Sequence, residues 1–418
     1  MEIGYCRRCN IPLRDKRCEI CGSYPLSLRF HELGDIRPAS RYEMDILLSL
    51  IPFREVKNYL RRRIVLLAKQ PGLDYRKDIF VDGFKFGVLE YIKDGRWRWR
   101  FVPTGKGVAL IHHLTSHVDF EMRAKGHMKG KKIDRRIDKD WEIVKLGNCV
   151  ALAVKERKGV KIKDVYCRKI MERKRSNLKD AVRGNTKFLE RIEREAVEMI
   201  RKSKARSVAF SGGKDSEVAL YLSYLAGVKK AVFLNTGMEF PETVRFVYNF
   251  VDFLDLELIE LSPQKSFWEL VEEMGIPTKD RRWCTKYLKL EQLKKLQGVI
   301  VDGLRKYESL RRLHSPSTRK IGNLRTIYPI FNWLSLDVWL YIHSKGLPYN
   351  PLYDMGFERL GCYMCPVMLN AEFHRVKVTH PELFKRWYEY LRKIGYTHEE
   401  IMDGNWRWKE PPPKLEEL

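Results

Sequence analysis

The stretch Ser211-Gly212-Gly213-Lys214-Asp215-Ser216 limits what this chain can fold into more than any other. It follows the short apolar run Ser207-Val208-Ala209-Phe210 and precedes the amphipathic stretch Glu217 to Leu225. A strand, a glycine-rich turn and a helix start, in that order, let the backbone approach a phosphate closely. Two glycines remove the Cβ atoms that would stand in the way, and amides at the helix N-terminus point at the anion. A chain built this way handles a nucleotide. The spacing is not that of the kinase-type phosphate loop, which has a longer interval between its glycines and ends in Lys-Ser/Thr.

Further motifs follow in order. A second apolar run, Ala231-Val232-Phe233-Leu234, ends in Asn235-Thr236-Gly237-Met238-Glu239-Phe240-Pro241-Glu242-Thr243. Then come Arg282-Trp283-Cys284-Thr285-Lys286, Gly303-Leu304-Arg305-Lys306-Tyr307-Glu308-Ser309-Leu310-Arg311, Asn350-Pro351-Leu352-Tyr353 and Gly361-Cys362-Tyr363-Met364-Cys365-Pro366. The loop resembles the pyrophosphate loop of enzymes that split ATP between its α and β phosphates or bind sulfonucleotides. The ordered set, over residues 206–370, resembles the phosphoadenosine phosphosulfate (PAPS) reductase family.

The resemblance implies an adenine nucleotide hydrolase-like α/β domain with a parallel sheet over residues 206–418, binding its nucleotide, ATP or a sulfonucleotide, at the strand C-termini. It implies a phosphate cradle of Ser211, Gly212, Gly213, Asp215 and Ser216, with Lys214 nearby. Asn235, Thr236 and Gly237 would line the nucleoside pocket, and Arg305, Glu308, Ser309 and Arg311 would meet the phosphate or sulfate end. Glu308 and Arg311, three apart, could instead form a local ion pair that orders the loop.

Nine cysteines fall into three groups. Cys6-x2-Cys9 and Cys18-x2-Cys21 stand eight residues apart, a spacing that lets two knuckles deliver four thiolates to one tetrahedral ion. Zinc is expected, with a rubredoxin-type iron as the other reading, in a structural zinc ribbon over residues 1–30. Cys284 with Cys362 and Cys365 lies inside the family motifs. Cluster-bearing sulfonucleotide reductases resemble the chain here but carry a Cys-Cys pair where Trp283-Cys284 stands. Three thiolates could hold a 4Fe-4S cluster with one iron open to a sulfide. A persulfide relay, a zinc site with a fourth ligand, and inert core thiols are the alternatives. Cys149 lies in the apolar run Cys149 to Val154 and reads, with Cys167, as a core residue; disulfides are not expected.

Charge is unevenly placed. Residues 1–205 carry 49 Lys and Arg against 27 Asp and Glu, whereas residues 206–418 carry 31 against 27. A small anionic substrate needs only a few local cations, so the surplus on the first half points to a polyanion, RNA first. A charge-rich soluble surface is the plainer reading. Residues 31–110 read as a basic α+β domain and 111–170 as a β-rich, PUA-like RNA-binding barrel. In Arg96-Trp97-Arg98-Trp99-Arg100-Phe101 the period of two sets aromatics on one strand face and arginines on the other, where they could meet phosphates. Arg123, Lys125, Lys129, Lys131, Lys132, Arg135 and Arg136 crowd a segment whose one acid is Asp134. Residues 171–205 form a helical linker whose Phe188, Leu189, Ile192, Ala196 and Ile200 share one face and dock on the nucleotide domain. There is no internal repeat and no low-complexity segment beyond Pro411 to Pro413.

Met1 to Tyr5 lacks the basic and apolar regions of a signal peptide, so a cytoplasmic protein is expected. The family's reductases, as the resemblance implies, attack sulfur with a cysteine near the C-terminus, and no cysteine follows Cys365 in this sequence. The expected activity is therefore ATP-dependent sulfur transfer to RNA, transfer RNA first. The RNA would be adenylylated with Mg²⁺ neutralising the pyrophosphate, and Asp215, Cys284, Cys362 and Cys365 would serve the chemistry. The alternative is adenylyl-sulfate or phosphoadenylyl-sulfate reduction to sulfite.

Overall fold

The computed structural model describes residues 1–72, 74–123, 126–156 and 159–409. Lys125 of the basic run, part of the turn from Lys155 to Gly159, and the segment from Glu410 to Leu418 with its three prolines lie outside the described residues. The chain divides into two compact units, Met1–Ala39 with Glu43–Thr186, and Ser40–Tyr42 with Lys187–Leu418.

The first unit opens with a small antiparallel sheet in which β1 (Glu2–Cys6) lies between β2 (Ile11–Leu13) and β3 (Leu26–Arg29). Next come β4 (Arg37–Pro38), α1 (Arg41–Leu50), α2 (Arg54–Leu60), β5 (Leu66–Lys69), β6 (Arg76–Val81), β7 (Phe84–Asp94) and β8 (Arg96–Pro103). These five strands pair antiparallel in sequence order. Asp82 and Gly83 make the two-residue turn between β6 and β7, both at positive φ (53° and 75°), as a primed hairpin turn requires.

The β7–β8 hairpin pairs from Gly87↔Pro103 to Asp94↔Arg96. A ring ladder holds its far end, with Tyr91 5.4 Å from Trp97 and 5.0 Å from Trp99. Of its three arginines on one face, Arg96 is exposed, whereas Arg98 and Arg100 are held by acids. Arg98 pairs with Asp140 at 2.7 Å and Asp94 at 2.9 Å, and Arg100 with Glu90 at 2.9 Å. Carboxylates far off in sequence or across the hairpin neutralise both, which the alternating pattern alone cannot reveal.

After α3 (Gly105–Thr115) come β9 (Phe120–Glu121), β10 (Lys132–Ile133), β11 (Trp141–Leu146), β12 (Cys149–Lys155) and β13 (Val160–Tyr166). They form a third sheet in the order β10-β13-β12-β11-β9 over a core of Val144, Leu146, Ala151, Ala153, Val160 and Ile162. Cys149 and Cys167 are not buried core thiols: Cys149 is half-buried, Cys167 is exposed, and the two form a disulfide. The antiparallel register Val150↔Tyr166 sets the two cysteines opposite each other, with Cα atoms 4.2 Å apart. Acids outside the basic run partly neutralise it, through Lys129–Asp164 at 3.3 Å, Lys132–Glu156 at 3.8 Å and Arg135–Glu142 at 3.5 Å.

The linker stretch divides. In α4 (Leu178–Gly184) and the residue after it, Asn185 Nδ2 donates to Pro12 O at 3.0 Å, tying the segment to the first sheet. From Lys187 onward, α5 (Thr186–Ser203) belongs to the second unit. It buries Phe188, Leu189, Ile192, Ala196, Val197 and Ile200, and its Glu193 pairs with Lys345 at 2.6 Å and accepts from Tyr341 Oη.

The second unit alternates strand and helix: β14 (Ser207–Ala209), α6 (Lys214–Leu225), β15 (Lys230–Leu234), α7 (Pro241–Phe253) and β16 (Glu257–Leu261). Then follow α8 (Phe267–Met274), a π-helical turn Thr285–Leu290 running into α9 (Glu291–Leu293), β17 (Gly298–Val301), α10 (Leu310–Leu313), β18 (Thr318–Ile321), β19 (Leu324–Ile327) and α11 (Ser335–Lys345). The sheet order is β16-β15-β14-β17-β19-β18, parallel except for the antiparallel edge strand β18. The chain first winds from β14 out to β16, then returns to β17 on the other side. The ends of β14 and β17 therefore flank the switch point, where such sheets bind ligands. Three further helices, α12 (Asn370–Thr379), α13 (Pro381–Lys393) and α14 (His398–Asp403), share a core of Phe373, Trp387, Leu391, Ile401 and Trp406 with α8 and Trp283.

Candidate functional site

The turn after β14 is built as its glycines require. Gly212 adopts φ +73°, and a Cβ there would come within 2.9 Å of Thr243 Cγ2. Ser211 N donates to Ser216 Oγ at 3.2 Å, and Ser216 Oγ donates to Gly213 O at 2.8 Å, so the loop closes on the first turn of α6. The segment Asn350–Tyr353 braces it. Buried Asn350 donates from Nδ2 to Gly212 O and Thr243 Oγ1, both at 3.2 Å, and Tyr353 Oη accepts from Lys214 N at 2.8 Å.

Charge at this loop is organised around Asp215. Arg305, 1% exposed, donates from Nε to Asp215 Oδ1 at 2.7 Å, while Lys214 Nζ donates to Asp215 Oδ2 at 2.8 Å. Burial would raise the Asp215 carboxyl, but the Arg305 and Lys214 charges outweigh it and hold it well below the usual carboxylate range. Gly303 makes this possible, since a Cβ there would sit 2.5 Å from Asp215 O and 2.7 Å from Ser216 N. One helix position on, Glu217 is fully buried and neither carboxylate oxygen has a hydrogen-bond partner among the described residues. Burial, then the Asp215 charge, push it well above the ordinary glutamate range.

In the same unit, Cys284, Cys362 and Cys365 line one cavity with Arg282, Lys289 and Arg359. Cys284 precedes the π-helical turn that carries Lys289, and Cys362 forms an isolated antiparallel bridge with Glu239. Burial pushes the Cys362 thiol up to about 12, against the pull of Lys289, and pushes Cys284 upward too. Thr236, just after β15, borders this cavity: its N and Oγ1 donate to Glu239 at 2.9 and 2.8 Å, and its Oγ1 is 3.9 Å from Cys362 Sγ. Its neighbours are held locally, Asn235 by Glu260 at 2.8 Å and Gly237, at φ +74°, by Asn235 Oδ1 at 3.1 Å.

The 305–311 segment is arranged differently from its reading in sequence. Glu308 pairs with Arg312 and, at 3.3 Å, with Arg359, not with Arg311. Ser309 caps α10 by accepting from Arg312 N at 3.4 Å, and Ser309 and Arg311 are exposed. A helix starting after Ser309 turns Arg312, four positions on, back over Glu308. Arg312 and the bracing pair Asn350 and Tyr353 therefore join the site beyond the residues singled out from sequence. Lys289 and Glu239 join the thiol cavity in the same way. The family motifs contained Asn350, Tyr353 and Glu239, but only the fold shows what each one touches.

In the first unit the four N-terminal cysteines converge, their sulfurs all within 4.8 Å of one another and Cys6 3.5 Å from Cys21. Four thiolates around a tetrahedral Zn²⁺ stand about 3.8 Å apart, so this donor set fits one such ion. Among the described residues it is the group of three or more such side chains gathered tightly enough for a single metal. No helix among the described residues is long and apolar enough to cross a membrane.

Residues 205–368 match the family model described as the phosphoadenosine phosphosulfate reductase domain. The uncharacterized protein MJ0973 of Methanocaldococcus jannaschii is 38% identical over 414 residues, spanning 92% of this chain and 97% of that one. MJ0066 of the same organism is 31% identical over 469 residues, spanning 98% and 96%. The adenosine 5'-phosphosulfate reductase of Bacillus cereus (strain B4264) is 30% identical over 148 residues, 32% of this chain and 62% of that one.

Proposed function

Since the chain belongs to the phosphoadenosine phosphosulfate reductase family, we propose that it activates an RNA with ATP and passes sulfur to it. The observation that carries this reading is the chain of contacts from the thiol cavity to the nucleotide loop: Arg359 on the cavity wall pairs with Glu308 at 3.3 Å, Glu308 pairs with Arg312, and Arg312 stands within electrostatic reach of Asp215 and Arg305. In the first step, a carbonyl oxygen of the RNA attacks the α-phosphorus of ATP, and pyrophosphate leaves. The loop amides after Ser211 receive phosphate charge, and buried Arg305 adds a fixed cation that needs no reorganisation as charge develops. Both Asp215 oxygens are engaged by Arg305 and Lys214, so Mg²⁺ would enter on the triphosphate instead of on this carboxylate.

In the second step a sulfur nucleophile displaces AMP from the adenylylated carbon. Buried thiols raised like Cys362 are poor free nucleophiles, and they become thiolates where a metal holds them. That favours the cluster reading over a bare persulfide relay. A 4Fe-4S cluster on Cys284, Cys362 and Cys365 would supply an iron open to an exogenous sulfide. Glu239 holds Thr236 against this cavity, and Lys289, raised mainly by Cys362, places a cation on its wall.

The similarity to adenosine 5'-phosphosulfate reductases favours a second reading, reduction of a sulfonucleotide to sulfite. Buried Trp283, donating from Nε1 to Gly275 O at 3.0 Å, stands where cluster-bearing reductases carry a cysteine and weighs against it. The test is anaerobic incubation of the full chain with ATP, sulfide and bulk transfer RNA, followed by nucleoside mass spectrometry. Thiolated nucleosides that disappear in Cys362→Ala are expected. Sulfite from adenylyl-sulfate with no thiolated nucleoside would establish the second reading instead.

A further inference from the structure

The first unit carries a cluster of cations that the nucleotide chemistry leaves unused. Its frame is Asp82, in the β6–β7 turn, which accepts from Asn10 Nδ2 at 2.8 Å and from Tyr59 Oη at 2.5 Å and pairs with Arg63 Nε at 3.3 Å. Two of these partners, Asn10 and Arg63, strap down a third segment. Asn10 Nδ2 donates to Lys174 O at 2.8 Å, and Arg63 donates to Arg173 O at 2.7 Å. The first cysteine knuckle, the β6–β7 turn and the 173–174 strap are thus fixed around one buried carboxylate. Gly83 lets them close, since a Cβ there would meet the Tyr5 ring at 2.6 Å.

Three cations stand on or against this frame: Arg7 on the knuckle between Cys6 and Cys9, Arg173 on the strap, and Lys106, from the start of α3, over Phe84 beside the β6–β7 turn. Lys106 is half-buried with Nζ 4.2 Å from the Phe84 ring centroid, Arg173 is half-buried and Arg7 is exposed. Among the described residues, none of the three forms an ion pair, and the carboxylate whose charge reaches Lys106 is Asp82. Asp82, the carboxylate facing them, is already matched by Arg63. Burial first, then the charges of Arg7 and Arg173, hold the Lys106 ammonium below the ordinary lysine range. Hydrogen bonds hold together the segments that carry these like charges, the charges raise one another's energy, and an anion between them would lower it. This differs from Arg98, Arg100, Lys129, Lys132 and Arg135, which acids of the same unit already neutralise.

We propose that Arg7, Lys106 and Arg173 form a phosphate-binding site for the phosphodiester backbone of the RNA on which the enzyme acts, the cysteine knuckle serving to hold Arg7 in place. The partner class rests on the RNA reading of the function. The cluster itself rests only on the frame around Asp82.

The test is binding of bulk transfer RNA to the full chain across a series of salt concentrations, without ATP or sulfide, so that sulfur chemistry does not enter. The variant combines Arg7→Gln, Lys106→Gln and Arg173→Gln. A control combines Lys377→Gln, Lys385→Gln and Lys393→Gln, exposed cations of the other unit. Lys106→Gln alone is measured too, because it leaves the metal knuckle untouched. One phosphate engaged by the cluster makes the slope of log affinity against log salt shallower by about 0.7–0.9 in the triple variant, and the control keeps the wild-type slope. Equal losses in variant and control, or an unchanged slope in both the triple variant and Lys106→Gln, would overturn the site while leaving the RNA reading intact. No RNA binding by the wild type, with protection of the protein by inorganic phosphate alone, would overturn both and assign the cluster to a small anion.

Discussion

Replacing Arg305 with Met tests how the nucleotide loop is held. The side chain is 1% exposed, it donates to Asp215 at 2.7 Å, and it reaches Trp333 O at 3.3 Å. Removing its charge leaves the Asp215 carboxylate with Lys214 alone, and breaking a buried pair in this way costs about 3–5 kcal/mol. For a domain of roughly 150–250 residues each kcal/mol moves Tm by about 2–4 °C, so a fall of roughly 6–20 °C is expected by calorimetry. Asp215→Asn in the same background should recover part of that loss, because the uncompensated charge is then gone. A loss under about 1 kcal/mol, or single effects that add to within about 0.5 kcal/mol in the double variant, would refute the pairing as the loop's anchor. The pH dependence follows from the same pair. With its folded pKa depressed, Asp215 stabilises fully above its unfolded value of about 3.9, and this contribution is lost as pH falls below that toward the folded pKa.

Glu217 should show the opposite sign: its folded pKa is raised, so above about pH 4.3 the native state holds a proton the unfolded chain has lost, and stability falls by about 1.4 kcal/mol per pH unit until the folded pKa is reached. Glu217→Gln should abolish that slope in denaturant titrations between pH 5 and 8, and an unchanged slope would contradict its isolation. Gly303→Ala should cost about 1–3 kcal/mol by overpacking against Asp215 and Ser216 and weaken nucleotide binding in calorimetric titration, whereas wild-type affinity would show that the close approach is dispensable. Cys18→Ser should lower bound metal by one ion per chain in elemental analysis and expose the β1–β3 sheet to protease, and an unchanged metal content would remove the four-thiol site.

Local signals were the readable part of this chain. The phosphate loop, its flanking strand β14 and helix α6, and β15 all stand where a few contiguous residues place them. What required the fold was pairing across distance. Cys149 meets Cys167 only through the β12–β13 register, and Arg98 meets Asp140 only once the β7–β8 hairpin extends to its full length. Asn350 and Tyr353 brace a loop 138 and 139 residues earlier in the chain. The spacing of Glu308 and Arg311, three apart, also allows a local ion pair between them. The start of α10 after Ser309 brings Arg312 to Glu308 instead. A period or a spacing names the face a side chain occupies but not the charge waiting there.

The most direct test of RNA activation is AMP released from ATP by anaerobically purified protein, with and without bulk transfer RNA. Strong RNA-dependent AMP formation, lost in Asp215→Ala and retained in Cys362→Ala, is expected if adenylylation precedes sulfur transfer at the neighbouring thiols. No AMP under either condition, with sulfite formed from adenylyl-sulfate, would contradict RNA activation and leave sulfonucleotide reduction as the reaction of this site.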